Sequence, residues 1–359
     1  MKRKHSAAVI GCGRMGAFTS ESVTRYAPSC WFPLSHAEAI KSHSRLSLAA
    51  MCDLDPDILE RAVNKYQVEN HYCDPGVLLE AERPALVGIA TRTIGRASLI
   101  EQAAAVGTRA IHAEKPLCNS VAELQSLRAL LAQDDFFFTW GAIRRFFGIY
   151  RKARELADSG HYGPLREIRV NHGSGPLYWT HPHSIDLLLF GAGERRLDGV
   201  QARLSEVVTD CDPVRIDSDP RIVAASLYFD DGVVGHITQA LGADFILSCA
   251  EAEIVVRADG ACLELYGAGE GVYPIARPLE VEEMQTGCGT RGPVSQLVAC
   301  LEGDNTAMTA NARIKRDIIA AQQIAFAMVQ SHLEGARIVD PMEVDPNMVI
   351  LAKTGGRHA

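Results

Sequence analysis

Three glycines, Gly11, Gly13 and Gly16, follow directly after an apolar run at Ala7–Ile10. In this spacing the first glycine permits a tight turn, the second lets a ligand approach the backbone, and the third lets a helix pack against the strand. The amide groups at the start of such a helix face an anion. The pattern therefore predicts a strand, a loop and a helix N-terminus that together hold a phosphate group.

Strand-like and helix-like segments alternate through the first 140 residues. The strand-like runs are Ala7–Ile10, Leu46–Cys52, Leu86–Ala90, Ala110–Ala113 and Phe136–Trp140. The helix-like runs between them are Ile58–Tyr66, Ala97–Val106 and Val121–Ala132. Such alternation is typical of an α/β fold, a doubly wound parallel sheet with helices on both faces. Residues 1–140 are therefore predicted to form a dinucleotide-binding domain.

Beyond residue 140 the pattern changes to successive strands joined by tight turns. Strands are predicted at Leu165–His172, Gly199–Val208, Ile222–Phe229, Val233–Ala240, Ala252–Arg257 and Ala261–Tyr266. Helices are predicted at Ile149–Ser159, His183–Phe190, Pro293–Leu301 and Asn311–Ser331. Asp-Gly sequences at 231–232 and 259–260 fit hairpin turns. Residues 141–359 are therefore predicted to be an α+β domain with a mostly antiparallel sheet, which binds substrate and forms oligomers.

A dinucleotide site also needs an acid at the end of the second strand, where it binds the ribose hydroxyls. Asp53 stands there, but it lies 37 positions beyond Gly16, about 17 more than the usual ~20. Ala17–Leu34 accounts for the excess as an inserted loop, and regular helix resumes at Ser35–Ile40. A carboxylate at position 53 repels the 2′-phosphate of NADP and so favours NAD, although Arg14 leaves NADP possible.

Composition excludes several classes of protein. Hydrophobic residues make up 47% and charged residues 22%, which excludes a disordered chain. A formal charge of −8 argues against nucleic acid or an anionic membrane as partner. The basic start precedes an apolar run too short for a signal peptide, so a cytoplasmic location is expected. None of the ten cysteines forms a pair spaced for zinc, which predicts free thiols and no metal.

Two groups of residues carry candidate chemistry. Glu114-Lys115-Pro116 follows a strand at the carboxyl end of the sheet, where ligands bind. The proline keeps Lys115 extended, and its ammonium group can stabilise a developing alkoxide. His183 and Asp186 share one helical face, which suggests a general base oriented by a carboxylate. With His172 and His181 the same segment also allows a metal site as the weaker alternative.

In this order the motifs resemble the Gfo/Idh/MocA family of NAD(P)-dependent oxidoreductases, over nearly the whole chain. The resemblance rests on the glycine loop, the resumed helix at His36–Ala39, Asp53, Glu114–Pro116 and the helix bearing His183. It implies a Rossmann domain followed by a sheet whose outer face makes homodimers or homotetramers. It also implies that Lys115 and His183 are catalytic and act on a hydroxyl of a sugar, cyclitol or other small carbohydrate-like substrate.

The resemblance and the motifs together predict two sets of binding residues. The expected cofactor-binding residues are Gly11, Gly13, Arg14, Met15, Gly16, Asp53, Thr91, Glu114 and Lys115. The expected substrate-facing residues are Trp31, Arg144, Trp179, His181 and Asp186. Trp31 lies in the insert with Tyr26 and Phe32, whose aromatic faces suit a sugar ring, although such a loop can equally pack its aromatics on itself.

One departure from the family pattern leaves the second polar group of the site open. Trp179 stands four residues before His183, where the family usually carries an aspartate. Tryptophan has one donor and no acceptor, so it cannot replace a carboxylate. His181, held in extended geometry by Pro182, is the rival general base. Two alternative functions stay open: an NAD-dependent glycosidase or eliminase that uses redox transiently, and a dinucleotide-binding regulator without activity.

Overall fold

The first sheet has six parallel strands, in a computed structural model that describes residues 4–209, 212, 214–268, 274–279 and 288–352. Its strands are β1 His5–Ile10, β2 Leu46–Cys52, β3 Asn70–Tyr72, β4 Leu86–Ile89, β5 Ala110–Ala113 and β6 Phe137–Trp140, in the order β3-β2-β1-β4-β5-β6. The direction of winding reverses between β1 and β4. A crevice for a ligand therefore opens at the carboxyl ends of these two strands.

Helices cover both faces of this sheet. They include α1 Glu21–Tyr26, α2 His36–Lys41, α3 Pro56–Tyr66, α4 Pro75–Glu82, α5 Arg96–Ala105 and α6 Val121–Leu131. Alternate residues of β1 enter two different cores, Ala8 and Ile10 on one side and Ala7 and Val9 on the other. A strand buried on both faces has an uninterrupted apolar sequence, which is why these strands are recognisable as short apolar runs.

The second sheet has eight strands and is mostly antiparallel. Its strands are β7 Leu165–Asn171, β8 Leu197–Ser205, β10 Arg221–Phe229, β11 Val234–Thr238, β12 Asp244–Cys249, β13 Ala252–Arg257, β14 Cys262–Ala268 and β15 Pro274–Leu279, in the order β15-β14-β13-β12-β7-β11-β10-β8. Only β7 and β11 pair in parallel among the described neighbours of this sheet. Two short strands, β9 Arg215–Ile216 and β16 Val349–Ile350, pair separately. The predicted fold class is confirmed.

The remaining helices connect the two sheets. They are α7 Gly148–Asp158, α8 Pro182–Ala192, α9 Arg291–Leu301 and α10 Asn305–Leu333. Val294 and Leu297 of α9 share a core with β1, and Asn311 of α10 exchanges two hydrogen bonds with the backbone of Phe138 in β6. The division at residue 140 stays a prediction, but residues 141–359 are not confined to the second sheet. Their α9 helix packs on the first.

Candidate active site

The glycine loop at the end of β1 has the shape that a dinucleotide requires. Gly11 has φ of +88°, and a Cβ there would lie 2.7 Å from the backbone of Ala90. A Cβ on Gly16 would lie 1.7 Å from the Gly11 carbonyl oxygen, whereas a Cβ on Gly13 would meet nothing within 4 Å. The loop is thus closed at its first and third glycines and open at its second, where a pyrophosphate approaches the backbone.

The insert interrupts the helix that begins at this loop. The His36 and Ala37 amides donate to the Met15 and Gly16 carbonyls, both at 2.8 Å. Each bond spans 21 positions instead of the four of a continuous helix, so the excursion adds 17 residues. This agrees with the excess inferred from the position of Asp53. Met15 therefore acts through its backbone carbonyl, which links the two parts of the interrupted helix by accepting from the His36 amide.

Asp53 and Thr91 lie beside the glycine loop, as the sequence predicts. Asp53 Oδ2 accepts from the Cys12 amide at 2.6 Å, and Oδ1 accepts from the Asp55 amide at 2.9 Å. The Thr91 amide is 2.9 Å from the position of a Cβ on Gly11. The carboxyl ends of β1, β2 and β4 therefore converge on one crevice.

The insert is not the plain loop that the sequence predicts, because it contains α1 and a 3-10 turn at Ser29–Trp31. It packs against the turn between β13 and β14. Trp31 Nε1 donates to the Asp259 carbonyl at 3.1 Å, and the Trp31 ring lies 4.6 Å below the guanidinium carbon of Arg144. Trp31 therefore supports Arg144 and connects the insert to this residue of the site.

Replacing Trp31 with Ala should loosen Arg144 and destabilise the protein. We expect the free energy of unfolding to fall by roughly 2–4 kcal/mol, somewhat less than for a fully buried tryptophan. The Michaelis constant for substrate should rise as well, since Arg144 loses its support. Tyr26→Ala is the matched control, because Tyr26 lies in the same insert and is 76% exposed. Unchanged stability and substrate affinity in Trp31→Ala would contradict this role.

Lys115 lies at the carboxyl end of β5, in a turn held by a buried arginine. The Arg96 guanidinium donates to the Glu114 carbonyl at 2.8 Å and also to the carbonyls of Thr91 and Pro116. Lys115 Nζ donates to the Trp179 carbonyl and lies 4.7 Å from the Trp179 ring. Burial lowers the pKa of Lys115 to about 8, against the opposing effect of the nearby Glu114 carboxylate.

The Glu114 carboxylate points into the protein and not toward the nucleotide. It pairs with His36 Nε2 at 3.2 Å and would touch a Cβ on Gly141 at 2.6 Å. Burial acts to raise its pKa, but the hydrogen bond and charge of His36 outweigh this and lower the pKa to about 2. The prediction that Glu114 binds the cofactor is therefore wrong for its side chain. That side chain instead anchors the turn that carries Lys115.

His183 lies in the first turn of α8, close to Lys115 and Arg144. Burial, followed by the positive charges of Arg144 and Lys115, lowers the pKa of His183 well below the ordinary histidine range. The imidazole is therefore neutral near neutral pH and able to accept a proton. Its Nδ1 is buried and has no hydrogen-bond partner in the described part of the chain.

Asp186 does not orient His183, and this prediction is wrong. Its Oδ1 accepts from Trp140 Nε1 at 3.1 Å, and its Oδ2 pairs with Arg145 Nε at 2.9 Å. Spacing by three places both residues near one face, but α8 is buried almost all round, so spacing alone does not say which groups meet. Asp186 is 1% exposed and joins α8 to β6, which also removes it from the substrate-facing set.

Arg144 lies near enough to Lys115 and His183 for its charge to act on both, and part of its guanidinium has no hydrogen-bond partner among the described residues. Its Nε and Nη2 bind Asp259 at 2.6 and 2.8 Å, which leaves Nη1 buried and without a hydrogen-bond partner among the described residues. Unpaired buried donors are rare because they cost roughly 1–3 kcal/mol. This nitrogen is therefore a candidate donor to a substrate oxygen.

His181 is buried and joined to His172 through one hydroxyl. The Ser184 Oγ lies 3.0 Å from His181 Nδ1 and 3.3 Å from His172 Nδ1. A hydroxyl donates only one hydrogen, so at least one of the two rings carries its proton on Nδ1 and leaves Nε2 as an acceptor. Burial lowers the pKa of His172 to about 3 and that of His181 to about 4, so both rings are neutral.

Comparison with known proteins finds a family match in the N-terminal part of the chain. Residues 6–141 match the model of the Gfo/Idh/MocA oxidoreductase family with an NAD-binding Rossmann fold. These residues are therefore similar to the NAD-binding domain of that family. The expected NAD-binding Rossmann domain is thus confirmed.

Two curated relatives are dehydrogenases of low identity. D-apiose dehydrogenase of Paraburkholderia graminis is 28% identical over 35% of this chain and 29% of its own length. Myo-inositol 2-dehydrogenase of Thermotoga maritima is 26% identical over 45% of this chain and 43% of its own length. The chain thus matches less than half the length of each relative.

The fold extends beyond the matched domain. An inositol dehydrogenase homologue from Azotobacter vinelandii, solved with NADH and myo-inositol, superimposes with a TM-score of 0.74 over 94% of this chain and 98% of its own. At 15% identity this shows a common fold, which includes the second sheet.

Asp219 is a residue of the site that the sequence does not predict. Asp219 is 9% exposed, and its carboxylate accepts from the amides of Tyr178 and Trp179 at 2.7 and 3.0 Å. Arg14 is predicted to bind cofactor. Its guanidinium carbon lies 5.6 Å from the centroid of the Trp179 ring. No sequence motif marks Asp219, because only the fold brings it close to Trp179, which lies 40 positions away along the chain.

Proposed function

We propose that the chain is an NAD-dependent dehydrogenase that oxidises a secondary hydroxyl of a sugar, cyclitol or sugar derivative. The single observation that carries this proposal is the convergence of Lys115 and His183 beside the glycine loop, with opposite tasks set by their surroundings. Lys115 is a cation that donates to an oxygen, and His183 is a neutral imidazole that accepts a proton. The dehydrogenase relatives support the same reaction class.

The chain's own residues then divide the reaction between them. The substrate carbon loses a hydride, which NAD accepts at C4 of its nicotinamide when bound. His183 takes the hydroxyl proton, and the Lys115 ammonium stabilises the alkoxide that forms. The lowered pKa makes His183 a weak base. It can therefore remove the hydroxyl proton only if Lys115 stabilises the negative charge that forms on the oxygen. A regulator without activity needs neither group.

Arg144 and the bridged histidines fit a substrate rich in hydroxyl groups. Arg144 Nη1 is a buried donor, and at least one of His172 and His181 offers an acceptor. A hydroxyl both donates and accepts, so it matches a mixed set of this kind. Trp179, 44% exposed, adds an aromatic face suited to the C–H surface of a sugar ring. Screening sugars, inositols and nucleotide sugars for NADH formation tests the proposal, and no turnover by any of them would contradict it.

Asp53 should set the preference for NAD over NADP. In Asp53→Ala we expect NAD affinity to fall roughly 10- to 100-fold, since a carboxylate hydrogen bond is lost, while NADP affinity stays constant or rises. Asp55→Ala is the matched control, because Asp55 caps α3 through the Asp57 and Ile58 amides. Calorimetric titration of both cofactors measures the effect. Tighter NADP binding by the unaltered protein, or an unchanged preference in Asp53→Ala, would sink the assignment.

The proposed oligomer is a homodimer or homotetramer joined through the second sheet. An ion pair between Arg169 of β7 and Glu253 of β13 spans the intervening β12, and one between Arg257 and Glu264 links the neighbouring strands β13 and β14. Sedimentation tests this part of the proposal, and a monomer at micromolar concentration would contradict it. No helix among the described residues is long and apolar enough to cross a bilayer. The cytoplasmic location stays a prediction.

A further inference from the structure

Asp219 holds a turn of the backbone that leads directly to Lys115. Its Oδ1 accepts from the Tyr178 amide at 2.7 Å, and its Oδ2 accepts from the Trp179 amide at 3.0 Å. One carboxylate that receives two consecutive amides fixes the orientation of the peptides between them, and bonds to a charged acceptor are stronger than neutral ones. The next carbonyl along the chain, that of Trp179, therefore has a defined direction.

The Trp179 carbonyl accepts from Lys115 Nζ, and the Trp179 ring lies 4.7 Å from the same nitrogen. These two contacts fix the ammonium group between a carbonyl dipole and an aromatic face. The position of Lys115 thus depends on how the turn at Tyr178–Trp179 is held. Asp219 holds the backbone of this turn by accepting from its two amides.

The same turn is also attached to β10 through its backbone. The Leu177 amide donates to the Pro220 carbonyl at 2.7 Å, and Pro176 forms a β-bridge with Arg221. Removing the Asp219 charge should therefore leave the turn in place. Only its fine orientation and the local charge should change.

The charge of Asp219 interacts with Lys115 and, less strongly, with Arg221. Arg221 also pairs with Glu206. The charged and titratable groups that act on Lys115 are Glu114 and Asp219, which raise its pKa, and Arg96 and Arg144, which lower it. His183 faces Lys115 as a neutral group. Two carboxylates therefore act on Lys115. One is Glu114, which also pairs with His36, and the other is Asp219.

We propose that Asp219 is a positioning residue for Lys115, whose carboxylate orients the Tyr178–Trp179 turn so that the Trp179 carbonyl holds the ammonium group. It brings a carboxylate to the segment in which Trp179 replaces the aspartate usual in the family, from 40 residues further along the chain. Its importance for turnover rests on the proposed function, in which Lys115 stabilises an alkoxide. Its effect on the protonation of Lys115 does not.

The test compares Asp219→Asn, Asp219→Glu and the unaltered protein by reductive methylation with formaldehyde at a series of pH values. Only the neutral amine reacts, so peptide mass spectrometry gives the protonation midpoint of Lys115. We expect the protonation midpoint of Lys115 to lie at lower pH in Asp219→Asn. Each decrease of half a pH unit should make the reaction at pH 7 about threefold faster. The midpoint should return toward the unaltered value in Asp219→Glu. Asp340→Asn is the control, since Asp340 caps the Met342 amide at 2.8 Å in another part of the protein.

An unchanged Lys115 midpoint in Asp219→Asn would overturn the proposal and leave Asp219 as a structural cap. If that variant does not fold, Asp219→Ser supplies the same neutral comparison, because its hydroxyl still accepts from one amide. With an active wild type, turnover of Asp219→Asn should fall roughly 10- to 100-fold with little change in NAD affinity. A shifted midpoint in a protein that oxidises no carbohydrate would support Asp219 and contradict the proposed function.

Discussion

Replacing Lys115 with Met should lower turnover by about 100-fold or more while the protein keeps its fold and its affinity for NAD. Methionine has similar length and no charge, so the variant loses the cation that faces the Trp179 carbonyl and the developing alkoxide. Steady-state kinetics and calorimetry measure the two quantities. Turnover close to that of the unaltered enzyme would show that Glu114–Pro116 is only a turn.

The pH dependence of the same variant gives an independent check. Burial lowers the pKa of Lys115 to about 8, so the ammonium loses its proton as the pH rises through that value. Turnover of the unaltered enzyme should therefore decline above about pH 8, and Lys115→Met should lack this decline. Lys315→Met is the matched control, because Lys315 is buried and donates to the carbonyls of Gln133 and Phe136. That control should lose thermal stability and keep its pH profile.

Replacing His183 with Ala should cost about 10²- to 10⁴-fold in turnover, as expected for the loss of a general base. Because burial and the charges of Arg144 and Lys115 lower the pKa of His183, the limb that it produces lies at acid pH, where the imidazole gains a proton. His183→Ala should remove this acid limb. Kinetics over a range of pH measure both effects.

His181→Ala is the comparison that decides between the two histidines. His181 is fully buried and bonded to Ser184, so its loss should reduce thermal stability and leave the acid limb in place. An inactive His181→Ala variant beside an active His183→Ala variant would transfer the role of base to His181. If neither variant loses turnover, the base lies elsewhere.

Much of the fold is predictable because its signals are local. The apolar runs that become β1, β2, β4, β5 and β6 are recognisable to within two residues, since strands buried on both faces have uninterrupted apolar sequences. The predicted hairpin turns join β10 to β11 and β13 to β14. In contrast, sequence analysis predicts neither β3 nor α4. β3 has only three residues, none of them buried, so it carries no hydrophobic pattern.

The site is predictable only where a motif marks it. The glycine loop and Glu114-Lys115-Pro116 are such motifs, and the structure places them at one edge of the sheet. Spacing gives the wrong role for Asp186 because it identifies a helical face without the groups packed against it, which are Trp140 and Arg145. Asp219 and the Arg144–Asp259 pair depend on loops that meet only in the folded chain, so no local pattern announces them.

If this chain moves a hydride from a carbohydrate carbon to NAD with Lys115 and His183, as we propose, the hydrogen of that carbon must appear on the cofactor. The most direct test is an incubation with NAD and carbohydrates deuterated at their carbinol carbons, followed by mass spectrometry of the recovered nicotinamide cofactor. We expect deuterium at C4 of the nicotinamide with at least one sugar or cyclitol, and transfer at least about 100-fold slower with Lys115→Met or His183→Ala. Absence of deuterium transfer from every substrate, in a protein that binds NAD, would contradict it.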